Sequence, residues 1–219
     1  MEAQPLLGGD LASRYPLRLA AGILQKAGVN VEDWLLQNSK HLPHGENEAK
    51  LILKQLKVGK GIVETTSCGR VLDAVAALLG VCFERSYEGE PAMKLESIAL
   101  VGKDVLQIQP QVKGDVLDTT CLMRAVFDSL GRVAAADLAY SAHAYLAKGL
   151  AALAIQGANS KRVKNVGFSG GAACNQILAH LVCETVESVG LRFFVHEGVP
   201  AGDGGVSFGQ AVVAGFSKF

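Results

Sequence analysis

Three segments of the chain combine residue types that can do chemistry. The first is FSGGAACN, Phe168 to Asn175, where Gly170 and Gly171 precede a helix-like run. Glycines between a strand and a helix N-terminus let backbone N–H groups approach a ligand, and the helix end adds roughly half a positive charge. No Gly-Lys-Ser/Thr follows, so this is not a Walker loop, and it is not a G-x-G-x-x-G fingerprint. Taken alone it reads first as a structural turn. The second segment is VPAGDGGVSFGQA, Val199 to Ala211. Its Asp203 sits in a glycine-rich loop entering a helix, where a carboxylate either caps the helix or binds a cation, the cap being the simpler reading. The third is SCGRVLDAVAALLG, Ser67 to Gly80, with Asp73 on a helix whose apolar stripe is Val71, Leu72, Val75 and Leu79. An isolated Asp on such a helix is ordinarily solvated.

The elements that must position these residues follow from periodicity and punctuation. Pro16 predicts a helix start, running through Leu17, Leu19, Ile23 and Leu24 to a stop at Gly28. Asn30 is placed to cap the next helix, with Asp33 in its first turn. His41 to Gly45 reads as a loop, followed by an amphipathic helix through Leu51, Leu53 and Leu56 to Gly59. Ser67 opens the Asp73 helix, which Gly80 ends, and Pro91 opens another through Met93, Leu95 and Ile98. Leu106, Ile108 and Val112 alternate as an edge strand around Pro110. Helices are expected over 119–130 and 133–156, a strand over Asn165 to Phe168, and a helix from Ala172 to about Ser188. A second strand, Arg192 to Val195, leads through a Gly/Pro loop to a helix from Val206 to Phe216. Strand, glycine turn, helix, strand, loop, helix predicts an α/β fold with parallel strands, here a helix-rich segment over 1–132 and an α/β segment over 133–219.

Composition narrows the function classes. The chain has 219 residues, 49% apolar and 19% charged, which suits an ordered domain with a substantial core. Its 21 basic and 21 acidic side chains cancel, leaving no electrostatic footprint for nucleic acid or an anionic membrane. Val133 to Gln156, the most apolar stretch, is broken by Asp137, His143 and Lys148, so no run reaches the roughly 18–20 apolar residues of a span. Asp10, Arg14 and Arg18 interrupt any signal-peptide pattern. The five cysteines, Cys68, Cys82, Cys121, Cys174 and Cys183, form no C-x-x-C pair and read as small buried thiols of a reducing, cytoplasmic compartment.

Together and in order, the three segments are far more specific than any one. With LLGGDLASRYPLRLA, Leu6 to Ala20, and SYEGEPAMKLESIA, Ser86 to Ala99, they resemble the C-terminal part of the HypF family over essentially the whole chain. These are carbamoyltransferases of nickel–iron hydrogenase maturation. The matching domain is similar to TsaD-type tRNA threonylcarbamoyl transferases and to the actin/sugar-kinase/Hsp70-like nucleotide-binding fold, of which this chain would be one lobe. The resemblance implies that carbamoyl-adenylate, made from carbamoyl phosphate and ATP in a separate domain, gives its carbamoyl group to the C-terminal cysteine of the partner HypE. It implies that Asp73 binds the ribose hydroxyls, that Gly69 lets its loop pass close to the nucleotide, and that Gly170 and Gly171 pack against it. Asn175 would reach the base or ribose, and Asp203 would be a ligand of a divalent metal, whether zinc, iron or magnesium.

The chain also departs from the family. The His-x-x-x-His metal pair and the DGTGYG-like phosphate loop that precede this region do not occur in it. A first lobe is therefore expected elsewhere, the chain alone is expected to be inactive and to self-associate through an uncovered apolar face, and its metal binding should be weak. His41 and His44 read as loop residues, and His143, where the family often carries a histidine, as a packed or capping group. AACN stands where the family usually has an aromatic residue and Gln, and Gly202 replaces an expected Asn. Two other readings stay open: a lobe of a tRNA threonylcarbamoyladenosine synthase, which the neutral charge disfavours, and a non-catalytic nucleotide-binding or scaffolding subunit.

Overall fold

The computed structural model describes residues 1–217, and the chain is α/β. It divides into two compact units, Met1–Leu146 and Ala147–Phe219, the division falling inside a long helix.

In the first unit a short strand, β1 (Gln4–Leu7), pairs antiparallel with β2 (Ile62–Thr65), Gln4 opposite Thr65 and Leu7 opposite Ile62. Around this ribbon pack α1 (Asp10–Arg14), α2 (Leu17–Lys26), α3 (Glu32–Gln37), α4 (Gly45–Val58) and α5 (Cys68–Leu78). Pro16 stands at the α2 N-cap as its fixed φ suggests, and Gly59 closes α4 in the left-handed conformation at φ 68°. Asn30 Oδ1 accepts the Glu32 N–H at 3.1 Å, although the backbone cap of α3 is Val31. Helix α2 is the hub, touching β1, α1, α4 and α5. Gly22 permits its approach to the strand, because a Cβ there would lie 2.8 Å from the Pro5 carbonyl oxygen.

A buried ion pair locks this arrangement. Arg18 on α2 and Glu48 on α4 are 4% and 3% exposed, and Arg18 Nε donates to Glu48 Oε1 at 2.8 Å with Nη2 on the same oxygen. Arg18 Nη1 donates to the Leu7 carbonyl at 3.1 Å, and Glu48 Oε2 accepts the His44 N–H at 3.0 Å. One guanidinium–carboxylate unit thus joins the end of β1, the first turn of α2 and the first turn of α4. Leu7, Leu17, Leu35, Leu42 and Ile52 enclose it in a common apolar cluster.

The remainder of this unit is α6 (Glu90–Ala99), the hairpin β3 (Val112–Lys113) and β4 (Val116–Leu117), α7 (Thr120–Asp128) and the start of α8 (Ala135–Lys161). Glu2 ties the N-terminus to α7, its Oε2 accepting the Thr119 and Thr120 N–H groups, each at 3.0 Å. In the second unit β5 (Asn165–Gly167) and β6 (Arg192–Phe194) pair in parallel, Val166 opposite Phe193. Helix α9 (Gln176–Glu187) buries Ile177, Leu178, Val182 and Val186, and α10 (Val206–Phe216) follows with every residue exposed.

Several expectations are corrected. Leu106 and Ile108 are not in a strand; residues 112–117 make a tight hairpin through Gly114 at φ 61° instead, because the bend at Gly114 brings Val112 opposite Leu117. The buried face of α4 is Glu48, Ala49 and Ile52, while Leu51 is 60% exposed. Strands β1 and β2, four residues each, carry no alternation long enough to read, and α9 begins at Gln176 after a 3-10 turn over Gly171–Cys174.

Removing one partner of the Arg18–Glu48 pair strands the other charge in the core. Glu48→Ala is expected to lose about 3–5 kcal/mol in urea unfolding, whereas the apolar double variant Arg18→Met/Glu48→Leu should lose much less. Equal losses would show that the pair contributes packing and not charge.

Candidate functional site

The residues singled out from sequence fall into both units. In the first, Gly69 and Asp73 lie on α5, whose N-cap Ser67 accepts the Arg70 N–H through Oγ at 3.4 Å. A Cβ at Gly69 would meet only Ser67 Oγ at an ordinary 3.7 Å, so the local fold does not demand glycine there. Asp73 is not solvated as a lone helical Asp would be; it is 4% exposed on the face of α5 that packs against α6. Its Oδ2 accepts from Arg70 Nη1 at 2.8 Å, and Oδ1 makes no hydrogen bond of normal geometry. Burial, outweighing the pull of Arg70, of Arg85 and of the Ala92 N–H, pushes its pKa up to about 6. A buried carboxylate with one unused oxygen has the chemistry to accept hydroxyl hydrogen bonds.

In the second unit the loops that follow the two parallel strands converge, as expected where ligands bind in open α/β sheets. The Phe168 N–H donates to Phe194 O at 2.9 Å, and the Gly170 N–H donates to Ala201 O at 2.9 Å. Gly170 has φ 90° and ψ 175°, a conformation a side chain would strain, and a Cβ on Gly170 or Gly171 would meet nothing within 4 Å. A Cβ on Gly202 would lie 4.0 Å from Gly171 Cα, so the two glycine segments face each other. Ser169 Oγ and His196 Nε2 are 2.8 Å apart, both side chains exposed. Sequence reading passed over this pair, because its members are 27 positions apart in different loops. Asn175 is 7% exposed and its Oδ1 caps α9 by accepting the Leu178 N–H at 2.9 Å.

Asp203 opens a 3-10 turn, Asp203–Gly205, ahead of α10, and no side chain caps that helix. The carboxylate is exposed at the edge of the glycine loops. Among the described residues no group of three His, Cys, Asp or Glu side chains is arranged to hold a metal ion. Asp203 can supply one oxygen ligand, but the residues of this chain do not make a coordination shell around it. His41 stacks on Phe83 with ring centroids 3.6 Å apart, and burial lowers its pKa. His143 is fully buried in α8, its Nδ1–H donating to Ala139 O at 2.7 Å. All five cysteines are free; burial pushes the Cys68 thiol up to about 12, while Cys174 is exposed. The SYEGEPAMKLE segment is structural, Glu90 Oε2 accepting from Ser86 N at 2.6 Å and Oγ at 2.7 Å.

A family model described as "Carbamoyltransferase, Kae1-like Domain, second subdomain" matches residues 1–210. The chain belongs to this family. It is 39% identical over 97% of its length to the probable carbamoyltransferase HypF of Methanocaldococcus jannaschii, of which it covers 28%. It is 33% identical to the carbamoyltransferase HypF of Rhodobacter capsulatus, covering 98% of this chain and 27% of that one. Among solved structures it matches T. kodakarensis HypF with a TM-score of 0.88 and 39% identity, over 98% of this chain and 29% of that one. A full-length HypF in a phosphate- and nucleotide-bound form matches with a TM-score of 0.81 and 28% identity, over 98% of this chain and 28% of that one. The chain spans less than a third of the length of these relatives. No helix among its described residues is long and apolar enough to cross a membrane.

The raised pKa of Asp73 makes a signed prediction. The folded state holds this proton more tightly than the unfolded chain, so the stabilisation is complete below 3.8 and is lost as pH rises through about 6. Asp73→Asn does not titrate. Its stability relative to the unmodified chain should therefore improve by up to about 3 kcal/mol across that window, read by urea unfolding at a series of pH values. A constant difference would mean that the carboxyl titrates normally.

Proposed function

We propose that this chain is part of the carbamoyl-transferring, nucleotide-binding domain of a HypF-type protein acting in nickel–iron hydrogenase maturation in the cytoplasm. The whole protein would take the carbamoyl group of a carbamoyl-adenylate to the C-terminal cysteine of a HypE-like acceptor. The observation that carries the reading is the buried carboxylate of Asp73, with one oxygen unused, on the helix whose sequence bears the family motif. The family resemblance implies two roles: Asp73 would accept the ribose hydroxyls, and Gly69 would let the chain pass close by. Gly170 and Gly171 leave open space for a nucleotide, and Asn175, which caps α9 through its Oδ1, would stand in reach of the base or ribose.

A divalent metal held by Asp203 would neutralise phosphate charge there, with its other ligands supplied by a further lobe or subunit. The exposed apolar side chains Phe194, Val195, Phe208, Val213 and Phe216 support a further lobe or subunit covering the second unit, and self-association when that cover is missing. The balance of 21 basic against 21 acidic residues favours a protein acceptor over tRNA.

Calorimetric titration of ATP, with and without divalent metal, tests this. Saturable binding is expected, and Asp73→Ala should weaken it roughly 10- to 100-fold, the worth of one or two hydrogen bonds to a charged group. Unchanged affinity in the variant would remove the ribose role. No heat at millimolar ATP would overturn the nucleotide-binding reading for this chain.

A further inference from the structure

Ser169 and His196 each stand two residues beyond the end of a strand, Ser169 after β5 and His196 after β6. They are the polar pair at the carboxyl ends of the parallel sheet, beside glycines whose missing side chains leave room for a ligand. We propose that they form an anion-reading pair that holds a phosphate oxygen of the nucleotide, Ser169 making the contact and His196 fixing the direction of the hydroxyl. This rests on the nucleotide reading above and adds two residues which that reading does not use.

The chemistry follows from the proton on the imidazole. When Nε2 carries hydrogen it donates to Ser169 Oγ, and the hydroxyl, whose acceptor here is the Ala201 carbonyl at a long 3.4 Å, can exchange that contact for an anionic oxygen. The same contact also suits a serine nucleophile and its base, but that role needs a third group to orient the imidazole. Among the described residues none hydrogen-bonds His196 Nδ1, so the pair fits binding and not attack.

Nitrogen-15 NMR of the whole chain separates the outcomes, with ATP, adenosine and inorganic pyrophosphate as probes. ATP and pyrophosphate are expected to move the His196 ring-nitrogen resonances, while adenosine moves the Gly171 amide and leaves the ring unchanged. Ser169→Ala and His196→Ala should each weaken ATP about tenfold without affecting adenosine, and should not add when combined, because they remove one unit. His196→Gln, whose amide N–H can still donate to the serine, should recover most of the affinity. If ATP moves Gly171 but not the His196 ring, or if Ser169→Ala binds ATP normally, the pair has no phosphate role and the nucleotide reading stands. If neither Gly171 nor His196 responds to any probe, both fall together.

Discussion

The constraint on which the first unit depends is the removal of Arg18 and Glu48 from water. A charge taken into an apolar cluster loses several kcal/mol of hydration, and only a matched partner with further hydrogen bonds offsets that loss. Both conditions are met, because Arg18 also reaches the Leu7 carbonyl and Glu48 also receives the His44 N–H. The geometry then fixes β1, α2 and α4 at once. Gly8 is part of the same arrangement: a Cβ there would lie 2.7 Å from Arg18 Nη1, so the turn after β1 must be bare for the guanidinium to pass. The LLGGD and YPLRLA residues of the family motif are thus explained by structure, not by chemistry on a substrate.

On this framework α5 packs against both α2 and α6, which is what buries Asp73. Its carboxylate costs stability where it is, since Arg70 satisfies one oxygen while the other makes no hydrogen bond of normal geometry. Functional sites commonly keep such uncompensated groups, because a polar atom prepared for a ligand cannot also be satisfied by the protein. The second unit shows the complementary situation. Two parallel strands with a single packed helix bury little, and parallel sheets are normally covered on both faces. The exposed Phe194 and the fully exposed α10 are what such a sheet looks like when more chain is needed to cover it.

The match to less than a third of these relatives' length agrees in kind with this picture. The first unit closes a core around its ion pair, whereas the second presents loops and a helix whose apolar side chains are exposed.

Much of the helical layout is set by local chemistry and can be read without a structure. Pro16, Ser67 and Gly59 mark helix ends because φ limits and unpaired N–H groups act within a turn, and the parallel pair β5–β6 announces itself by flanking glycines and a helix-length spacer. The family motifs are legible for the same reason, being short and contiguous. What tertiary structure alone decided are the facts that join distant positions. Arg18 reads as a surface charge until Glu48, 30 residues on, is seen to bury with it. Asp73 reads as solvated until α6 covers it, and Ser169 and His196 are unrelated until β5 and β6 align their ends. Strands β1 and β2 escape because four residues paired 55 to 61 positions apart leave no periodic trace. Burial and pairing are properties of the folded whole, and no local pattern encodes which charged side chain will lose its water.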